Sequence, residues 1–145
     1  KVPIFIKIAP DLNDGNVTEI LSVCEENNVS GLIATNTTIN PKTLKNPNSF
    51  KGGLSGKPLY NQSNKILRLL AKRKKDSTVL IGVGGIFSAA EIYEKIMMGA
   101  SAVQIYTSFI YNGPTHIKKM EIELKNLLLN DGYSSINEAV GGLIR

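Results

Sequence analysis

One cysteine, one histidine and no tryptophan occur in the 145 residues, and each scarcity removes a class of chemistry. A single cysteine, Cys24, allows neither an internal disulfide nor a cysteine-based zinc site. It stands among apolar helix positions and reads as a buried, inert thiol. A single histidine, His116, rules out a multi-histidine metal site and leaves any catalytic triad resting on one residue. It follows "GPT" at a helix start, which reads as a surface position. No run of about 18 uncharged apolar residues is present, so no membrane span is expected. An initiator methionine and a signal peptide are also missing: "KVPIFIKIAP" leads directly into a strand, an abrupt start expected of a fragment.

What is there fits a globular domain. The 42% hydrophobic and 20% charged fractions support one domain with a core and exclude disordered or collagen-like chains. The net charge of +5 raises the question of nucleic acid, but the basic residues are dispersed except in "AKRKK", residues 71–75. That cluster ends a helical pattern, where cations meet the helix dipole favourably, so a solvated helix terminus and no nucleic-acid partner are expected.

Hydrophobic periodicity predicts four strand–helix units. Strands are expected at 2–10, 30–36, 77–83 and 101–107, and helices at 17–28, 64–74 and 88–99. Another helix follows "NGP", with Ile117, Met120, Leu124, Leu127 and Leu128 on one face, and a short one is expected at 135–142. Ser88 precedes Glu91 by three residues, a capping-box spacing. Strands apolar throughout, alternating with amphipathic helices, predict an α/β fold whose parallel sheet is covered by helices.

A doubly wound open sheet and part of a (βα)₈ TIM barrel both satisfy this pattern. A whole barrel needs about 250 residues. Four units form half of one, with two bare strand edges that invite aggregation unless further chain completes them. With the abrupt start, this favours residues 1–145 as the C-terminal half of a barrel domain whose N-terminal half is not in this sequence.

In either architecture ligands bind where the strands end. Lys7 lies within a run of Ile and Phe near the first strand's end. Burying its ammonium unpaired is costly, so it either snorkels outward or meets an anion or acceptor in a site, and the second is preferred. The second strand ends "ATNTT", where Asn36 offers two donors and an acceptor, suited equally to an ordinary turn or to a planar amide- and carboxylate-bearing ligand. The connection 40–59 is long enough to be functional or mobile. Within it, "GGLSG" has glycines that allow close backbone approach. The third and fourth strands end "GVGG" and "QIYTS", and their glycine amides and the hydroxyls of Tyr106, Thr107 and Ser108 are donors of the kind a phosphate needs. In many barrels a phosphate sits after strands seven and eight. A dinucleotide fold fits less well, because Phe87 stands where GxGxxG needs its third glycine and no acidic residue ends the next strand.

Together "IKIAPDL", "ATNTT", "GGLSGKPL", "GVGGI" and "VQIYT", in this order across almost the whole chain, resemble the C-terminal half of dihydroorotate dehydrogenases. "TNTT" and "GGLSGKPL" look like the class 2, quinone-reducing branch. The resemblance implies an FMN-containing barrel that oxidises dihydroorotate to orotate in de novo pyrimidine synthesis. In that family hydride passes to the flavin while a base takes the neighbouring proton, and ubiquinone reoxidises the flavin. For a eukaryotic source it implies peripheral attachment to the mitochondrial inner membrane, through sequence outside this chain.

Carried over by position, the resemblance makes Lys7 the cation beside the flavin ring and Thr35 another flavin contact. Asn36 and Thr37 become substrate-binding residues. Gly56, Gly84 and Gly85 become backbone contacts to FMN, and Tyr106 and Thr107 the phosphate grip. No metal is implied. The family's catalytic base, a serine in class 2, has no match in Ser22, Ser30, Ser49 or Ser55, so it is expected in the N-terminal half, and "AVGGLIR" is only loosely similar. Two alternatives remain: another FMN barrel oxidoreductase, or a non-catalytic phosphate-binding half-barrel.

Overall fold

The computed structural model of the protein describes residues 2–40 and 52–144. Residues 41–51, which include Ser49 and the greater part of the long connection, lie outside the described residues. The element order is β1 (Phe5–Ile8), α1 (Asp14–Glu26), β2 (Gly31–Ala34), a 3₁₀ turn (Lys57–Leu59), α2 (Tyr60–Arg73), β3 (Val79–Val83), α3 (Ala89–Met97), β4 (Ala102–Gln104), α4 (Thr107–Asn112), α5 (Pro114–Asn130) and α6 (Ile136–Ala139).

The strands form one parallel sheet in sequential order, with β1 and β4 at its edges. Ile8 pairs with Ala34, Ala34 with Gly82 and Gly82 with Val103, so these residues share one face of the sheet. Ile8, Leu32, Ala34 and Leu80 on that face pack with Val17, Leu21 and Cys24 of α1 and Ile66, Leu67 and Leu70 of α2. Cys24 is thus buried, as its helical position predicts. A second cluster joins Ile92 and Ile96 of α3 to Met120, Leu124 and Leu128 of α5 and Ala139 of α6.

Apolar strands predict helices over the sheet, but among the described residues helices cover only one face. The opposite face carries Phe5, Lys7, Ile33, Ile81, Val83 and Gln104, all half-buried or exposed. Apolar character on both faces is what strands of a closed barrel need, since their second face packs into the barrel interior.

Element ends differ from those read by periodicity, because the apolar pattern marks buried side chains and not the first hydrogen-bonded turn. Helix α1 begins at Asp14 rather than 17, because the side chain of Asn13 accepts from the Asn16 N–H at 2.8 Å. Helix α2 begins at Tyr60 rather than 64, continuing from the 3₁₀ turn. Strand β4 stops at Gln104, and Thr107 opens the short helix α4, a segment that the sequence pattern assigns to strand and loop. Ser88 caps α3 as predicted, accepting from the Glu91 N–H at 3.4 Å, while the Glu91 carboxylate takes the N–H of Phe87 at 2.6 Å. The box therefore reaches one residue further back than usual.

Leu67 has no exposed surface and sits where α2 meets the sheet. Leu67→Ala in the full-length protein should lower unfolding free energy by about 2–5 kcal/mol, read from the shift of the urea midpoint.

Candidate functional site

All four strands run in one direction, so their C-terminal ends lie along a single edge of the sheet. There the nine residues singled out from the sequence line one cleft: Lys7 of β1; Thr35, Asn36 and Thr37 after β2; Gly56 before the 3₁₀ turn; Gly84 and Gly85 after β3; Tyr106 and Thr107 after β4. Lys7 is exposed and is the only charged side chain lining the cleft among the described residues.

The segment after β2 is held by backbone. The Thr35 N–H donates to Val83 O at 3.0 Å and the Asn36 N–H to Ile8 O at 2.7 Å, which ties the strand end to both neighbours. The Ala34–Thr35 peptide is cis. Thr35 is buried, and its hydroxyl donates to Asn36 O at 3.0 Å. The Asn36 side-chain oxygen accepts the Thr37 N–H at 2.9 Å, which leaves the amide's two N–H donors without a protein partner among the described residues.

The loop after β3 is shaped by glycine. Gly84 and Gly85 have φ of +111° and +75°. A Cβ on Gly85 would fall 2.5 Å from Tyr60 Cβ, and one on Gly84 would meet Leu59 and Ser63 at 3.0 and 3.1 Å. The loop therefore lies flat on the start of α2, where no side chain fits. Neither the Gly84 nor the Gly85 N–H donates to a protein acceptor among the described residues. Opposite them, the Thr107 hydroxyl donates to Ser55 Oγ at 3.0 Å, and a Cβ on Gly56 would lie 3.1 Å from the Thr107 methyl. Ser108, whose hydroxyl the sequence groups with these donors, is buried and does not line the cleft, and that hydroxyl has no hydrogen-bond partner among the described residues.

His116 needs correction: it is half-buried, with Nε2 3.0 Å from the carbonyl oxygen of Phe87, just beyond the glycine loop. The Gly113 turn that separates α4 from α5 directs the start of α5 toward that loop, and sequence spacing gives no sign of this contact.

Sequence reading gives no role to Gln104, sets Ser55 aside as a base, and passes over Asp11; the first two line the cleft, and the third anchors the loop after β2. The Asp11 carboxylate accepts from the Thr38 hydroxyl, from the Ile39 N–H at 3.0 Å and from Gln62 Nε2 at 3.1 Å. The usable signal is an acidic residue placed just beyond a strand end, facing the loop after the next strand. Burial opposes its ionisation, but the three hydrogen bonds outweigh burial and lower its pKa below the usual 3.8. Asp11 thus adds stability that is fully present above that value and is lost as pH falls through its lowered folded pKa. Asp11→Asn should be less stable than the parent at pH 7, with the gap between their urea midpoints closing as the solution is acidified below about pH 4.

A family model described as dihydroorotate dehydrogenase matches residues 1–128. The chain is 46% identical over 145 residues to a dihydroorotate dehydrogenase (quinone) of Helicobacter acinonychis, covering 100% of this chain and 41% of that protein. It is 45% identical over 141 residues to one of Cereibacter sphaeroides, covering 97% of this chain and 40% of the relative. A crystal structure of DHODH from Eimeria tenella in complex with ferulenol superposes with a TM-score of 0.93 at 39% identity, covering all of this chain and 39% of that one. The chain spans about 40% of the length of the curated relatives it matches. The sheet, the order of its helices and the sequence agree, and the chain belongs to the dihydroorotate dehydrogenase family.

Proposed function

We propose that the protein oxidises dihydroorotate to orotate in pyrimidine synthesis, using FMN and passing electrons to a quinone, and that this chain supplies the last four βα units of the barrel. One observation carries the reading: residues from four strand ends, separated by up to 100 positions in sequence, converge on one cleft in which Lys7 is the single charge among the described residues. The relatives named for quinone support the acceptor.

The cleft fits a flavin mononucleotide. Two glycine N–H groups have no protein acceptor among the described residues, and side chains at those positions would strike α2, which are the properties of a cradle for phosphate oxygens. Tyr106 and the paired hydroxyls of Thr107 and Ser55 border the cradle, and Tyr106 and one hydroxyl of that pair would add donors. When bound, FMN supplies the hydride-accepting chemistry that no amino-acid side chain can. Lys7 stands apart from the cradle on β1, where its ammonium would face the ring and favour negative charge on it. Thr35, fixed between β1 and β3, would buttress the same region. Asn36 presents two donors unpaired among the described residues, and with Thr37 it would hold the carboxylate and ring carbonyl of the substrate in the orientation that hydride transfer needs.

No carboxylate, imidazole or thiol lines the cleft among the described residues, and the serine that does, Ser55, is paired with the Thr107 hydroxyl and does not match the family's base, so this reading assigns proton removal to a group from the rest of the barrel. This chain then binds and orients, and the remainder of the barrel completes the acid–base chemistry.

Full-length protein should be yellow as purified, and dihydroorotate should bleach the flavin absorbance without oxygen present. Lys7→Ala should lose flavin or reduce turnover by about 100-fold or more. A colourless full-length protein would support a non-catalytic phosphate-binding barrel. Bleaching by other dihydropyrimidines or 2-hydroxy acids, but not by dihydroorotate, would support a different flavin oxidoreductase.

A further inference from the structure

Lys95 of α3 has no exposed surface. It occupies the i+3 position after Ile92 and precedes Ile96, so it falls on the apolar stripe that packs inward. Its stem crosses β3 at Gly82, where a Cβ would come within 3.0 Å of Lys95 Cδ and 3.3 Å of its Cβ. Glycine at that strand position makes room for the side chain to pass.

The ammonium emerges beneath the start of α2. It donates to Ser63 Oγ at 2.8 Å and to Asn64 Oδ1 at 2.6 Å, and it lies 5.5 Å from the centre of the Tyr60 ring. These partners are all neutral. Two carboxylates lie nearby on its own helix, but both are engaged: Glu91 with Lys57 and the Phe87 N–H, and Glu94 with the Tyr60 hydroxyl. Burial pushes the Lys95 pKa down to about 8, with Glu94 and Glu91 only partly restoring it. A methionine of similar length would fill this space without desolvating a charge, so packing alone does not account for lysine here.

Ser63 connects this ammonium to the cleft. Its hydroxyl lies 3.1 Å from Tyr60 O and 3.3 Å from Gly84 O, while its oxygen accepts from Lys95. The same residue bounds the space a Gly84 side chain would need. Lys95, Ser63 and Gly84 thus form one hydrogen-bonded line from a buried cation to the glycine loop, whose Gly84 and Gly85 N–H groups have no protein acceptor among the described residues.

We propose that Lys95 is a positioning residue for the phosphate cradle, fixing the Gly84–Gly85 loop through Ser63 and supplying, from behind the backbone, positive charge that the cradle's neutral donors lack. The proposal rests on the FMN reading above. It separates the phosphate end of the flavin from the ring: Lys95 acts on the loop after β3, whereas Lys7 stands on β1.

The test is flavin binding to full-length apoprotein, titrated separately with FMN and with riboflavin, which has the same ring and no phosphate. Lys95→Met should weaken FMN by about tenfold or more, as expected for loss of a charge-assisted contact. Riboflavin affinity should change by less than about threefold, since a ring-directed interaction is untouched. Ser63→Ala should show the same selectivity with a smaller loss, and it decides the matter if Lys95→Met does not fold. Equal losses for both flavins, or unchanged FMN affinity, would overturn the role of Lys95 while leaving the FMN reading intact. A parent protein that binds neither flavin would overturn both.

Discussion

Parallel strands in sequential order oblige every connection to return across the same face of the sheet, and the rest of the molecule follows from that return. Helices α1, α2 and α3 carry the chain back, so β1 to β4 all finish at one edge. Residues as far apart in sequence as Lys7 and Thr107 then line one cleft, although β1 and β4 lie at opposite edges of the sheet. The helices bury one face of the sheet and leave the other to whatever closes the barrel. Position at the strand end, more than residue type, decides which polar groups can act together.

That constraint explains why the fold and the outline of the site can be read from the amino acids. The four units follow from period: the runs around Ile6, Leu32, Leu80 and Val103 are strands, and the stripes containing Leu21, Leu67, Ile96 and Leu124 are helices. Once the strands are placed, their ends name Lys7, Asn36, Gly84 and Tyr106 as candidates, and the structure brings these into one cleft. The five motifs in register narrow the reading from a glycine-loop fold in general to one family.

What escapes such reading depends on contacts across elements. Asp11 looks like a loop residue until the loop after β2 is laid over it, because its partners Thr38 and Gln62 are 27 and 51 positions away. His116 looks like a surface residue because nothing local reveals that Phe87 offers a carbonyl to it. Helix α4 is hidden for a different reason. Its six residues are too few to show a period, and they continue an apolar strand whose hydrogen bonds end at Gln104. Lys95 is the instructive case: a lysine on the inward stripe of a helix can be seen in the sequence, but its purpose depends on Gly82 opposite and Ser63 beyond.

The two packing clusters meet at the glycine loop. Leu80 at the start of β3 belongs to the cluster under α1 and α2, while Ile86, six residues later, belongs to the one formed by α3, α5 and α6. Between them runs a stretch of backbone that contains three glycines and little side-chain mass. A molecule gripped there would add a mechanical tie between two halves that Lys95, Glu94 and Glu91 of α3 already join to α2 and the 3₁₀ turn before it. Its binding energy would add to the cohesion of the whole domain in proportion to occupancy, so that loading the site and holding the fold together become one event.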